Sequence, residues 1–211
     1  FVCFSCENNK SLKCCRKENK AGSNSDISCF SLYPGKNLGA LGDAGIITTN
    51  IKSIYLKLLK LRNFGSKKKY FHDQIGFNFK MDSIQASFLN IKLNQLDKWN
   101  KSKSIIAETY NKKINNKNIK FLKNTKGSSY YGFILLTKYR NKLRKFLEKK
   151  NIQTNIYYPF AINKHNALKK IFKKKKFIQA ETYSKNSIAI PICSSLTKKQ
   201  INYVIKIINS F

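Results

Sequence analysis

The spacing of apolar and polar positions changes several times along this 211-residue chain, and each change predicts an element. Residues 26 to 33, DISCFSLY, form a short run of apolar and β-forming residues that predicts a strand, which Pro34-Gly35 ends. AGIITTN, residues 44 to 50, predicts a second strand, so Lys36 falls in a glycine-rich loop between the two. Over 51 to 64, Ile51, Ile54, Leu58 and Leu61 recur at helical spacing, and Gly65 supplies the stop. SKKKYFHDQIGFNFK, residues 66 to 80, reads as a polar and aromatic connection. Asp82 is the expected N-cap of a helix from Ser83, with Ile84, Phe88, Ile91, Leu96 and Trp99 along it, running through SIIAETYNKKI to about Ile114. A helix of that length suits a bridge between two domains. The expected division is residues 1–100 and 101–211.

The second half alternates. YYGFILLTK (130 to 138) predicts a strand, RNKLRKFLEKKN a helix, IQTNIYY (152 to 158) a strand, and residues 164 to 186 helical turns. SIAIP follows as a short strand, and a last helix is capped by Thr197. Strand-helix-strand order predicts an α/β or α+β arrangement with helices packed on a sheet.

Composition changes this picture in three ways. An apolar content of 42% can support a core. With no charged segment followed by a long apolar run, the reading is a cytoplasmic chain that forms part of a longer protein. A net charge of +32 invites a polyanion partner, but 38 of the 42 basic residues are lysine, and 24 Asn and 25 Ile accompany them. That is the signature of AT-rich codon bias rather than of the arginine-led recognition of nucleic acid. The lysines are spread over most of the chain, so the expectation is a solvated surface with no specific nucleic-acid or membrane partner. Of the six cysteines, Cys3 and Cys6 form a C-x-x-C, but the adjacent Cys14 and Cys15 supply no second half at zinc spacing. Free thiols and no metal site are expected.

Lys36 stands between Pro34-Gly35 and three glycines, Gly39, Gly42 and Gly45. A lysine acting as a covalent catalyst needs a fixed approach to a carbonyl, and glycines let a planar ring lie near the backbone. Spacing alone favours an ordinary loop lysine. Ser31, five positions earlier, is placed to donate to a phosphate.

The stretch FSLYPGKNLGALGDAGIITTN resembles the lysine motif of the DegT/DnrJ/StrS family of pyridoxal-phosphate-dependent nucleotide-sugar aminotransferases. The likeness continues through LRNFGSKKKYFHDQIGFNFKMDSIQASFLNIKLNQLDKWN and returns in IYYP and SIAIPICSSLTKKQINYVIKIINSF, covering most of residues 20 to 211. It implies a fold-type I aminotransferase, with residues 1–100 ending the large cofactor domain and 101–211 holding the bridging helix and small domain. By the same resemblance Lys36 carries pyridoxal phosphate on its side-chain nitrogen and moves protons. Ser31 is the phosphate-binding hydroxyl, and Asn78 reaches across a homodimer interface to the partner's phosphate. Without the family, Asn78 reads as a turn residue beside Gly76, and Asp82 and Gln85 as a cap and a helix residue. The implied reaction is amino transfer from glutamate to a keto-sugar nucleotide, by way of pyridoxamine phosphate, and the form PGKNLGALGDAG is most like members acting on dTDP-linked 3-keto-6-deoxyhexoses.

The resemblance is incomplete. The family places an aspartate and a glutamine upstream of the lysine. Counting back 29 residues from Lys36 puts Glu7 at the aspartate, facing the pyridinium nitrogen, and Lys10 at the glutamine. FVCFSCENNKSLKCCRKENK does not resemble the family; a divergent segment and a frameshifted or decayed one are the two alternatives, and the reading leans to decay or truncation. The aromatic residue and helix N-terminus that hold the cofactor elsewhere in the family are not found, so this chain by itself is expected to be weak or inactive. Tyr131, Tyr157 and Asn163 stand where family patterns often carry histidine, which leaves the sugar open. The two rivals are a non-catalytic regulatory relative, which would not need Lys36, and a basic nucleic-acid binder, whose affinity would fall steeply with salt.

Overall fold

The computed structural model describes residues 2–4, 21–22, 25–122, 127–172 and 175–211. Glu7 and Lys10, and with them Cys6, Cys14 and Cys15, lie outside the described residues. The chain divides into two compact units, Phe1–Leu96 and Asp97–Phe211.

The first unit is built on a three-stranded sheet, β1 (Val2–Phe4), β2 (Ser28–Ser31) and β3 (Gly45–Thr49), in the order β1-β3-β2. β1 runs parallel to β3, and β2 pairs antiparallel with it, Ser31 opposite Gly45 and Ser28 opposite Thr48. Both expected strands form, each trimmed by a residue or more at its ends. α1 (Lys52–Leu61) follows and packs against β3, with Ile54, Leu58 and Leu61 half-buried.

The segment expected as a plain connection instead contains a hairpin, β4 (Ser66–Lys68) and β5 (Phe71–His72). Its sequence hides it because every residue but Ser66 is exposed, so burial imposes no alternation. Backbone contact fixes it instead. Gly65 has φ +74°, and a Cβ there would lie 1.6 Å from the Gln74 carbonyl oxygen; a Cβ on Gly76 would lie 1.9 Å from the Gly65 nitrogen. Lys60 bonds Asp73 beside this crossing at 2.5 Å, and that bond with the lysine charge holds the Asp73 carboxyl below the usual range.

The long helix, α2 (Ser83–Lys113), forms as read. Its buried face in the first unit is not the expected one: Ile84 and Ile91 are exposed, while Leu89 packs with Leu32 and Ala40. Asp82 directly precedes the helix, and its carbonyl accepts from the Ala86 N–H at 3.1 Å.

In the second unit, β6 (Lys120–Phe121), β7 (Phe133–Leu136) and β8 (Ser187–Ile190) form an antiparallel sheet in that order. Helices α3 (Arg140–Glu148), α4 (Lys169–Phe172), α5 (Ile178–Asn186) and α6 (Lys198–Asn209) complete the unit. β8 is buried at every position, the polar Ser187 included. Leu135, Leu143, Leu147, Ile188 and Ile208 are fully buried around Tyr110 of α2. Each such aliphatic side chain contributes about 1.5–3 kcal/mol by leaving water. The Tyr110 hydroxyl donates to the Pro191 carbonyl at 2.9 Å, and burial pushes its pKa up to about 12. Thr197 caps α6 in a reciprocal pair: its hydroxyl accepts from Gln200 N–H, and the Gln200 side chain accepts from Thr197 N–H.

The strand expected over 152 to 158 does not form. Only Asn155 pairs with β8, exchanging backbone bonds with Ala189 of 3.1 and 2.7 Å. Its side-chain oxygen accepts from the N–H of Ile156, which turns the backbone away from further pairing.

Candidate active site

Ser31 ends β2, and the loop that follows is wound by its own backbone. The Leu32 N–H reaches the Ala44 carbonyl at 2.9 Å, continuing the strand pairing, and the Ala40 N–H returns to the Leu32 carbonyl at 2.8 Å. Pro34 and Gly35 form the corner of a turn closed by the Lys36 N–H on the Tyr33 carbonyl at 2.8 Å. Tyr33 also donates its own N–H to the Ser31 hydroxyl at 3.3 Å. Ser31 and Lys36 are thus tied to opposite ends of one peptide turn. Lys36 is half-buried and Ser31 exposed.

Gly39 shows why the loop is rich in glycine: a Cβ there would sit 2.3 Å from the Pro34 carbonyl oxygen, so the returning chain passes directly against the turn. From below, α2 holds the same loop. Gln85 accepts the Leu41 N–H at 2.8 Å, its amide lies against Gly42, and the Lys92 ammonium donates to the Gly39 carbonyl. Residues 85, 89 and 92 share one face of the helix, so Leu89 fills the apolar gap between two polar props. Gln85, read from sequence as an ordinary helix residue, is a positioning residue for the lysine loop. The helical spacing of 85, 89 and 92 is the only signal in the chain that points to it; its partner lies 44 positions away. Gln85→Leu keeps the volume and removes the acceptor. The expected result is a loss of about 1 kcal/mol, with faster amide exchange at Leu41 than at β3.

Asn78 is not a turn residue. It forms an isolated antiparallel bridge with Asn63, flanked by the Phe77 N–H on Leu61 O at 2.7 Å and the Phe79 N–H on Arg62 O at 3.0 Å. The Phe77 and Phe79 rings stack with centroids 4.9 Å apart, and alternation along the extended backbone puts Asn78 on the opposite side, where it is exposed. A cavity of about 700 Å³ lies in this unit, lined by Phe30, Ile46, Leu58, Phe77 and Phe79 among others. Asp43, Ala44 and Gly45 at the end of the lysine loop and Gln85 of α2 also line it, whereas Ser31, Lys36 and Asn78 do not.

In the second unit the three positions at which family patterns carry histidine differ in setting. The Tyr131 and Tyr157 rings lie 5.5 Å apart, and Asn155 donates to the Tyr157 hydroxyl at 3.0 Å. Asn163 is buried, and its amide donates to Glu181 at 3.1 Å. Glu181 also takes the Phe177 N–H and pairs with Lys164. The Asn163 bond first, then Lys164 and Phe177, hold the Glu181 carboxyl below its ordinary range. A depressed folded-state pKa contributes stability above the unfolded value, and that stability is lost as pH falls through the folded value. Amide exchange at Phe177 is therefore expected to accelerate as pH drops below about 4.3 after correction for intrinsic rates, and Glu181→Gln is expected to abolish that dependence.

No group of three or more His, Cys, Asp or Glu side chains that could hold an ion occurs among the described residues. No described helix is long and apolar enough to cross a membrane.

The geometry sets a lysine amine and a serine hydroxyl on one short turn, two groups whose chemistry suits a carbonyl and a phosphate. Over residues 9–209 the chain matches the DegT/DnrJ/EryC1/StrS aminotransferase family, and it belongs to that family. The match begins at residue 9, so residues 9–20, set apart from the family in the sequence, lie within it. The family is pyridoxal-phosphate dependent. Similar curated proteins include the dTDP-3-amino-3,6-dideoxy-alpha-D-galactopyranose transaminase of Aneurinibacillus thermoaerophilus, 35% identical over 200 residues covering 86% of this chain and 55% of the relative. The dTDP-3-amino-3,4,6-trideoxy-alpha-D-glucose transaminase of Streptomyces venezuelae is 32% identical over 190 residues, covering 88% and 50%. The crystal structure of S. venezuelae DesV in complex with a ketimine intermediate superposes with a TM-score of 0.85 at 30% identity, over 90% of this chain and 53% of that one. The fold is therefore that of the sugar aminotransferases. The chain spans about half the length of the curated relatives it matches.

Proposed function

We propose that this chain carries the lysine-bearing part of a transaminase that moves an amino group, with glutamate as donor, onto the keto carbon of a nucleotide-linked sugar of the dTDP-keto-6-deoxyhexose type. The observation that carries the reading is the Lys36 loop, whose turn, glycine contact and two α2 props fix one lysine among 38. The transaminases among its relatives support the same substrate class.

The loop fits pyridoxal phosphate on its own chemistry. The Ser31 hydroxyl accepts from Tyr33 N–H, which leaves its proton to donate to a phosphate oxygen. Lys36 supplies the amine that bonds the aldehyde. When bound, the cofactor supplies an electron sink for the carbon that loses or gains a proton. Lys36 would hold the cofactor through its aldehyde, and its free amine would take up that proton as the ammonium and give it back. Glu7 is assigned to the ring nitrogen. Exposed Asn78 is assigned to the phosphate of a second subunit, which makes the working form a homodimer. In this reading residues 1–100 close the large cofactor domain, residues 101–211 make the bridging helix and small domain, and the protein works in the cytoplasm. A regulatory relative without chemistry has no use for a lysine held this way.

The test is the absorbance spectrum of the chain incubated with pyridoxal phosphate. A band near the visible edge that vanishes in Lys36→Ala supports the reading, and a band that survives the substitution overturns it.

A further inference from the structure

Cys193 is exposed, and it is the only cysteine of residues 97–211. It stands in the short connection from β8 to α6, which the core of the second unit fixes on both sides. Before it, the Pro191 carbonyl takes the Tyr110 hydroxyl, and Ile192 packs on the core. After it, Leu196 packs on the same core, and its N–H donates to the Cys193 carbonyl at 3.1 Å. The reciprocal cap of Thr197 and Gln200 follows at once. Cys193, Ser194 and Ser195 are therefore held as one tight turn whose cysteine is open to solvent.

Hydroxyl, amide and ammonium donors gather at the sulfur. Cys193 Sγ lies 3.1 Å from the Ser195 hydroxyl, and the Ser195 N–H and the Ser194 hydroxyl bond to it as well. Lys103 comes from α2. With Ile106, Ala107 and Tyr110 it falls at i, i+3, i+4 and i+7, and those three are buried, the last being the residue bonded to Pro191. The stripe carries the half-buried Lys103 along the same side as Tyr110, and its charge acts on the sulfur. The Ser195 hydroxyl first, then the Ser195 N–H, the Lys103 charge and the Ser194 hydroxyl hold the Cys193 thiol below the ordinary thiol range, although partial burial pushes the other way. Burial likewise lowers the pKa of Lys103, and the Cys193 charge opposes that. A thiolate sulfur only accepts, so in that form every one of these groups donates to it and the turn is already built for the charged state.

We propose that the cluster of Cys193, Ser194, Ser195 and Lys103 is a thiol modification site that exchanges with low-molecular-weight disulfides. The Cys193 sulfur attacks one sulfur of the incoming disulfide. A new S–S bond joins Cys193 to that half as the old S–S bond breaks, and the other half leaves as a thiolate that takes a proton from water. Cys193 is oxidised and the leaving half is reduced, so no further oxidant is needed. With no second cysteine in this unit to displace the mixed disulfide, the cap stays until an external thiol removes it. The site does not depend on the amino-transfer reading.

The experiment exposes the full chain to oxidised glutathione at neutral pH, folded and again unfolded in urea, with the mixed disulfide at each cysteine measured by peptide mass spectrometry. Folding ordinarily shields a cysteine. Each pH unit by which a thiol is lowered gains about tenfold in thiolate and loses about threefold in nucleophilicity, so native Cys193 is expected to react about threefold or more faster than the same cysteine in the unfolded chain. S195A and K103Q are each expected to remove most of that advantage, and K103R to keep it. K113Q, at the end of α2 and about 15 Å further along the helix, lowers lysine charge equally and is expected to leave the rate unchanged. Native Cys193 that falls short of that advantage overturns the proposal, and so does an advantage that survives both S195A and K103Q or falls equally in K113Q.

Discussion

Alanine in place of Gly65 is expected to abolish cooperative unfolding of the first unit. Two effects add. The left-handed backbone, φ +74°, costs a non-glycine residue about 1–2 kcal/mol. The larger effect is contact: the new methyl would lie 1.6 Å from Gln74 O, a backbone atom that no rotamer change can move. Relief requires separating the Gly65 and Gly76 strands, which breaks the Asp73 N–H bond to Gly65 O and unseats residues 77–79 from the end of α1. The combined loss is expected to exceed about 4 kcal/mol, the range reserved for forced rearrangement. Gly127→Ala is the control: φ is +82°, but nothing described lies within 4 Å of its Cβ, so only the conformational cost of about 1–2 kcal/mol applies. Urea melts of the two variants separate contact from conformation.

Alanine in place of Lys36 is expected to leave the fold intact and remove its chemistry. The side chain is half-buried, and the hydrogen bond that closes its turn comes from backbone N–H, which alanine keeps. Thermal unfolding is therefore expected to change by less than about 0.5 kcal/mol. On the proposed function, amino transfer from glutamate to a keto-sugar nucleotide, already weak in this chain by itself, is expected to fall by at least the 10²–10⁴-fold that a positioned proton-transfer group contributes, and further because covalent capture of the cofactor is lost as well. Retained transfer at more than about a hundredth of the parent rate contradicts the role given to Lys36.

The prominence of Lys36 in the sequence has a physical origin. Gly39 is required by the 2.3 Å approach to Pro34, and Pro34-Gly35 by the turn that closes on Lys36, so the loop geometry is written in residue types that are rare elsewhere in the chain. The long α2 and the capped α6 were legible for similar reasons, one by period and length, the other by a Thr-x-x-Gln box. What the sequence hid depends on contacts between distant residues. The β4–β5 hairpin is held by two glycines meeting backbone to backbone, without an apolar stripe to announce it. The buried face of α2 was misread because Ile84 and Ile91 look like core while the polar Gln85 and Lys92 are the residues that grip the loop. Nothing in the sequence around Asn163 announced that its amide donates to Glu181, 18 positions away. Asn78 was singled out only by the family resemblance; its local sequence, beside Gly76, pointed to a turn, and it forms an isolated bridge with Asn63 instead.

The central claim is that one lysine of 38 is singled out by structure. Its most direct test is incubation of the chain with a stoichiometric amount of pyridoxal phosphate, reduction with borohydride, and mapping of the modified peptide by mass spectrometry. The account predicts that the label falls on Lys36 and is strongly reduced in Gln85→Leu. Label distributed over surface lysines in proportion to their exposure, with no excess at position 36, would contradict it.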